Sequence, residues 1–254
     1  MTILMTLMIM VVGAAIGSFL NVCIWRLPRE ESIVRPPSHC PSCDQPIRFY
    51  DNIPIVSFLL LRGRCRSCGV SISWRYPLVE GLTAIMALLL FWKFGLSFQY
   101  LASFVFVAVL VVITFVDLDH QIIPDIITLP GIPLFLLAAV FIMNISFRDA
   151  LIGMAIGGGL LYLIAFSYEF LTKREGMGGG DIKLLAMLGG FLGWQSLWVI
   201  LLVSSLSGAL VGLALMIARG ADLKYAVPFG PFLAIGAMTY IFFGQTITRF
   251  MIFL

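Results

Sequence analysis

The stretch "ILMTLMIMVVGAAIGSFLNVCIW" at residues 3–25 decides the class of fold, because it is continuously apolar and carries no charge. An α-helix needs about 20 such residues to cross the hydrocarbon core of a bilayer. The stretch lacks the basic start and the small-residue cleavage site of a signal peptide. We therefore expect it to form the first membrane-spanning helix.

The rest of the chain has the same apolar character. It is 61% hydrophobic and 11% charged over 254 residues, whereas soluble domains carry about 25% charged residues. This composition excludes a soluble globular protein and predicts an all-α polytopic membrane protein. Eight hydrophobic runs predict about eight transmembrane helices, near residues 3–25, 77–92, 98–116, 126–143, 149–171, 182–195, 197–218 and 229–247.

Residues 26–76 interrupt this pattern with a polar, Arg-rich segment between the first and second runs. We therefore expect three parts: a transmembrane helix at 1–25, a small zinc-ribbon-like domain at 26–76, and a seven-helix membrane domain at 77–254. Thirteen basic residues fall on the side of this segment: Arg26, Arg29, Arg35, Arg48, Arg62, Arg64, Arg66, Arg75, Lys173, Arg174, Lys183, Arg219 and Lys224. Only Lys93, Arg148 and Arg249 fall on the other side. The positive-inside rule then puts residues 26–76 in the cytoplasm and the N-terminus outside.

Four cysteines in this segment form two CxxC motifs, "CPSC" at 40–43 and "CRSC" at 65–68. This spacing predicts a structural zinc site with Cys40, Cys43, Cys65 and Cys68 as ligands, because paired knuckles bring four thiolates to one tetrahedral ion. A redox pair or free thiols is the alternative. We expect Cys23, alone in the first span, to be a small buried apolar residue.

Acidic residues at the edges of the predicted spans are a second candidate site. Asp117 ends the third span and Asp181 begins the sixth, so both are expected at the same membrane depth on the cytoplasmic side. Two such carboxylates suggest a catalytic pair that shares a proton. Gly178, Gly179 and Gly180 would let a substrate backbone approach Asp181. The alternative is structural: Asp181 caps a helix, Asp119 and Asp125 are loop residues, and the glycines form a turn.

Glycine pairs spaced four residues apart recur inside the predicted spans. They are Gly13 and Gly17, Gly153 and Gly157, and Gly208 and Gly212. Such pairs allow helix backbones to approach closely in lipid, which is the interpretation that we favour. Admission of a substrate helix is the alternative.

Several motifs in a consistent order resemble the type IV prepilin peptidases, which are GxGD-type aspartic proteases of bacterial inner membranes. They are "GSFLNVCIWRLP" at 17–28, "CPSC" at 40–43, "DNIPIVSFLLLRGRCRSC" at 51–68, "RYPLVE" at 75–80, "DLDHQIIPD" at 117–125, "GMGGGDIKLLAMLG" at 176–189 and "PFGPFLA" at 228–234. The resemblance covers nearly the whole chain.

This resemblance implies that Asp117 and Asp181 are the catalytic pair and that the substrates are prepilins and pseudopilins, cut after a glycine on the cytoplasmic side of their apolar stretch. It also implies N-methylation of the new N-terminal residue with S-adenosylmethionine. No Rossmann fingerprint occurs in the sequence, so the methyl-donor site rests on the resemblance alone. No nucleic-acid partner is expected.

Other functions stay open at this point. One is a leader peptidase without methyl transfer, or a preflagellin-type relative, although that group usually lacks the cysteine domain. Another is a transporter with a zinc-binding regulatory domain, in which acidic residues tend to lie near the bilayer midplane. A third is a structural assembly factor, which would tolerate loss of the Asp181 carboxylate.

Overall fold

The computed structural model describes residues 3–173, 178–219 and 227–252, without the side chains of residues 219, 245 and 248–252. Within these residues the chain is helical, with no strand and only two isolated β-bridges. The α-helices are α1 (Ile3–Arg26), α2 (Val56–Leu60), α3 (Arg75–Phe94), α4 (Phe98–His120), α5 (Asp125–Phe141), α6 (Phe147–Thr172), α7 (Gly179–Leu192), α8 (Ser196–Arg219) and α9 (Gly230–Ile252). This confirms the predicted all-α class.

Each of the eight predicted spans coincides with an α-helix, namely α1 and α3 to α9, although α7 has only 14 residues. In the described part of the chain, five of these helices are long and apolar enough to cross a membrane: those beginning at Ile3, Arg75, Phe98, Phe147 and Ser196. The described apolar parts of α5 and α9 are shorter. The chain is therefore a multi-pass membrane protein.

Two compact units divide the chain, Met1–Val112 and Ile113–Leu254, with the boundary inside α4. In the first unit, α1 packs along α3. A Cβ on Gly13 would lie 2.9 Å from Ala84 Cα, and one on Gly17 would lie 2.7 Å from Glu80 Cα. The predicted role of this glycine pair in close helix packing is confirmed.

In the second unit, α7 is the central helix, packed against α5, α6, α8 and α9. Every residue from Leu184 to Leu192 is buried, as expected of a helix that is apolar on all sides. At 14 residues, α7 extends about 21 Å and is shorter than the hydrocarbon core. The short sixth run is thus a helix enclosed by protein.

The other two glycine pairs differ from each other. A Cβ on Gly153 would overlap the Gly189 carbonyl of α7, so this pair mediates close packing of α6 on α7 as predicted. Among the described residues, a Cβ on Gly208 would make only ordinary contact with Phe232, and one on Gly212 would meet no atom within 4 Å. The close helix packing predicted for Gly208 and Gly212 is therefore not seen among the described residues.

Some predictions fall on residues outside the described part of the chain. These are Gly176 and Met177 of the glycine-rich motif, and Arg174 and Lys224 of the charge count. The side chains of Arg219 and Arg249, both in the charge count, are also outside it.

Candidate active site and metal centre

Asp117 lies in the last turn of α4 and is 5% exposed. Its Oδ2 atom accepts a hydrogen bond of 2.9 Å from the backbone N–H of Gly230, the first residue of α9. The first N–H groups of a helix have no partner inside it, so a carboxylate there satisfies one of them and meets the positive end of the helix dipole. The contact fixes the Asp117 carboxylate at the junction of α4 and α9.

Asp181 lies in the first turn of α7, where Gly178 is the N-cap residue. Its own N–H donates to the Gly178 carbonyl at 3.2 Å, and its side chain is half-buried. The Asp181 carboxylate is within electrostatic range of the Asp117 carboxylate. The structure therefore brings the two predicted residues together although they are 64 positions apart in the sequence.

The three glycines before Asp181 have different surroundings. A Cβ on Gly180 would lie 2.7 Å from Ile123 Cβ, so that position is filled by the segment between α4 and α5. Among the described residues, a Cβ on Gly179 would meet no atom within 4 Å, and one on Gly178 would meet only Asp181 Oδ2, at 3.9 Å. No described residue therefore fills the position beside Gly178 or Gly179, whereas Gly180 serves packing. The approach of a substrate here stays a prediction.

Asp125 is placed by the structure at the start of α5, whereas the sequence suggested a loop. Its two carboxylate oxygens lie 2.7 and 2.8 Å from Lys183 Nζ. This ion pair joins the first turn of α5 to α7, two residues after Asp181. Asp119 lies in the last turn of α4 and is exposed.

The carboxylate pair has the elements that acid–base hydrolysis requires. Two carboxyl groups whose charges interact do not ionise independently, so one can stay protonated while the other is charged. In that state one group accepts a proton from water and the other donates one to a scissile amide.

The two CxxC motifs fold into equivalent knuckles. In the first, the Cys40 N–H donates to the Gln45 carbonyl at 3.0 Å and the Asp44 N–H donates to the Cys40 carbonyl at 2.9 Å. Asp44 has a left-handed backbone, with φ of 54°. In the second knuckle Cys65, Val70 and Gly69 take the same places, with hydrogen bonds of 2.8 and 3.0 Å and a φ of 73° at Gly69.

The knuckles bring the four predicted ligands to one point. All four sulfur atoms lie within 4.8 Å of one another, and Cys40 Sγ lies 3.8 Å from Cys68 Sγ. Ideal tetrahedral geometry with Zn–S bonds of about 2.3 Å requires sulfur atoms about 3.8 Å apart. The four cysteines are therefore able to hold a metal ion, and their geometry and donor type fit zinc.

The protonation of these thiols supports the same conclusion. Backbone N–H groups of Cys68 and Ser67 lower the pKa of the Cys65 thiol to about 6. The Gln45 N–H lowers the pKa of Cys43, but desolvation and hydrogen bonds with the other three cysteines together raise it to about 12. The four thiols therefore influence one another's ionisation, and a divalent cation would favour the thiolate form of all four.

Sequence reasoning missed the contacts of the carboxylate pair with other elements. Gly230 lies in the quoted motif "PFGPFLA", yet nothing in its residue type points to Asp117, 113 positions away. Ile123 and Lys183 are likewise ordinary residues for a segment near a membrane surface. Cys23 is buried in α1, as predicted.

Two family models match the chain. Residues 11–94 match the Bacterial Peptidase A24 N-terminal domain, and residues 104–213 match the Type IV leader peptidase family. The second range contains both Asp117 and Asp181, and the first contains the four cysteines. The predicted boundaries at residues 25 and 76 stay a prediction.

Curated relatives are similar to the chain over almost its whole length. A prepilin leader peptidase/N-methyltransferase of Aeromonas hydrophila is 42% identical over 92% of this chain and 89% of the relative. Proteins with the same name from Pseudomonas aeruginosa and Neisseria gonorrhoeae are each 39% identical, over 93% and 89% of this chain and 90% and 86% of the relatives. No solved structure shows significant similarity to the chain.

Proposed function

Since the chain belongs to the type IV leader peptidase family, we propose that it is a prepilin peptidase that also N-methylates its product. It cleaves the leader peptide of type IV prepilins and pseudopilins with Asp117 and Asp181 and transfers a methyl group to the new N-terminus. The names of the relatives favour this function over a transporter or an assembly factor. They also favour it over a peptidase without methyl transfer.

The observation that carries the peptidase proposal is the meeting of two carboxylates at the ends of α4 and α7. One carboxylate takes a proton from water while the water oxygen attacks the scissile carbonyl carbon. The other, protonated, donates its proton to the carbonyl oxygen, and the tetrahedral intermediate then expels the amine, which takes up a proton. The Gly230 N–H holds Asp117 in place during these transfers.

The space beside Gly178 and Gly179 supports an approach path for the scissile segment toward Asp181. A peptide lying there presents its backbone to the pair without displacing any described protein atom. Gly180 contributes to the pair indirectly, because it lets Ile123 pack against the first turn of α7.

Zinc is proposed as the resident ion of the cysteine cluster. Four thiolate ligands leave no open position for water, so the ion stabilises residues 40–68 and takes no part in hydrolysis. S-adenosylmethionine, when bound, supplies the methyl group that passes to the uncharged N-terminal amine; it leaves a neutral thioether, and the amine releases a proton.

The proposed location is the bacterial inner membrane, with the N-terminus outside. The distribution of basic residues, thirteen against three, supports a cytoplasmic position for the cysteine cluster and for the carboxylate pair. A prepilin carries its leader on the same side, so this orientation gives the pair access to the cleavage site.

Processing of a purified prepilin by single variants of the reconstituted protein tests the peptidase proposal. We expect Asp117→Asn and Asp181→Asn each to lower the rate of cleavage by at least about 1,000-fold. When two residues act as a unit, removing either one costs nearly as much catalysis as removing both. Asp119→Asn, an exposed change in the same turn of α4, is the matched control. More than about a tenth of wild-type cleavage in either variant would exclude the pair.

A further inference from the structure

A cavity of about 580 Å³ lies within the first unit, between α1, α3 and the segment that carries the cysteines. Its volume is in the range of pockets that enclose a whole small molecule. The carboxylate pair belongs to the second unit and does not line this cavity. The cavity therefore has no role in hydrolysis by that pair.

A buried carboxylate lines the cavity. Glu80 of α3 is 7% exposed, its Oε2 atom accepts the Ile55 N–H at 2.7 Å, and it is hydrogen-bonded to the Ser18 side chain. Among the residues that the structure describes, no cation forms an ion pair with it. A buried carboxylate that lacks a countercharge is costly, and in membrane proteins such residues usually serve function.

The buried cation on the same cavity does not neutralise Glu80. Arg26 is also 7% exposed, and its two terminal nitrogens donate to the backbone carbonyls of Ser32 and Pro36, at 2.8 and 2.7 Å. These bonds tie the guanidinium to the chain that follows α1. The cavity is therefore lined by a carboxyl group that has no countercharge among the described residues.

We propose that this cavity is the site of the methyl donor and that Glu80 faces its sulfonium. The inference rests on the proposed methyl transfer. A sulfonium carries a permanent positive charge that a buried carboxylate stabilises. After transfer the sulfur is neutral and this attraction is lost, which favours release of the product thioether.

The new N-terminal ammonium of the processed substrate is the other cation of the reaction. The volume favours the donor, because about 580 Å³ matches a whole small molecule. Kinetic measurements distinguish these two cationic ligands. If the cavity binds the donor, loss of the Glu80 carboxylate raises the KM for S-adenosylmethionine and leaves the KM for the peptide unchanged.

The test compares two ligands that differ by one methyl group and one charge. Equilibrium dialysis of the full-length, zinc-loaded protein in nanodiscs gives Kd values for S-adenosylmethionine and S-adenosylhomocysteine. We expect Glu80→Gln to raise the Kd for S-adenosylmethionine at least 10-fold and the Kd for S-adenosylhomocysteine less than about 3-fold. Glu80→Asp, which keeps the charge, should retain most of the discrimination.

Glu30→Gln, an exposed change of the same type after α1, is the matched control and should alter neither affinity. Three results for Glu80→Gln would each overturn the inference. They are an unchanged ratio of the two Kd values, an equal loss of affinity for both ligands, and an increase confined to the KM for the peptide. Absence of methyl transfer by the wild-type protein would instead overturn the proposed function, so the two failures are distinct.

Discussion

Gly230 occupies a position where any side chain would collide with Asp117. A Cβ there would lie 2.7 Å from Asp117 Oδ2 and 3.4 Å from Ile123 Cδ1. Because the carboxylate also accepts the N–H of this residue, Gly230→Ala has to displace the acid from its hydrogen bond. We expect cleavage of a prepilin peptide to fall at least about 10-fold, since a small misplacement of a reacting group carries a large penalty.

Gly212→Ala in α8 is the control for that variant, because its Cβ would meet no atom within 4 Å. Circular dichroism and the melting temperature establish that both variants fold. Wild-type cleavage by Gly230→Ala would mean that the Asp117–Gly230 contact has no catalytic importance.

The glycines beside Asp181 give a second prediction at this scale. Gly179→Ala places a methyl group where no described residue lies within 4 Å, whereas Gly180→Ala forces it against Ile123. We expect Gly179→Ala to raise the KM for the peptide without changing the melting temperature, and Gly180→Ala to lower the melting temperature. The opposite assignment, with a raised KM confined to Gly180→Ala, would exclude the proposed approach path.

The sequence predicted the two aspartates because acidic residues at span ends stand out in a chain that is 11% charged. It did not predict their partners. The Gly230 N–H is a backbone group 113 positions away, and the Lys183 ion pair with Asp125 spans 58 positions. Contacts of this kind depend on which helix ends meet, and hydrophobic runs do not contain that information.

At the scale of elements, the glycine spacing predicted a close-packing face on α6 but not its partner. That partner is α7, through Gly189 opposite Gly153 and through the Leu185 carbonyl opposite Gly157. The same spacing in α8 has no close neighbour at Gly212. Helix α2 was missed because five residues are too few to register as a hydrophobic period.

Packing of α6 on α7 sets the position of the helix that carries Asp181, which makes it testable. Gly153→Ala overlaps the Gly189 backbone, and overpacking of this kind costs about 1–3 kcal/mol. We expect a lower melting temperature in nanodiscs together with a reduced cleavage rate. Gly159→Ala in the same helix should change neither, because no described residue lies within 4 Å of its Cβ. Equal effects of the two substitutions would exclude a specific role for the α6–α7 contact.

At the scale of the whole molecule, the features proposed for methyl transfer and those proposed for cleavage belong to different units. The cysteine cluster and the Glu80 cavity lie in Met1–Val112, and the two aspartates with their contacts lie in Ile113–Leu254. The match to two family models follows a similar division, at residues 11–94 and 104–213. This separation predicts that damage to one site affects the two activities unequally.

Loss of the metal is the sharpest test of that separation. Chelation removes the ion, and Cys40→Ser removes one ligand of the four-sulfur cluster that holds both knuckles together. We therefore expect the metal content to fall and residues 26–76 to become sensitive to limited proteolysis. Methyl transfer to a pre-cleaved peptide should fall at least about 10-fold, because the cavity is lined by the same segment. Cleavage should fall less than about 3-fold, because Asp117 and Asp181 keep their contacts within the second unit.

Cys23→Ala, a change at a buried cysteine outside the cluster, is the control. A parallel fall of both activities after metal loss would contradict the independence of the two sites.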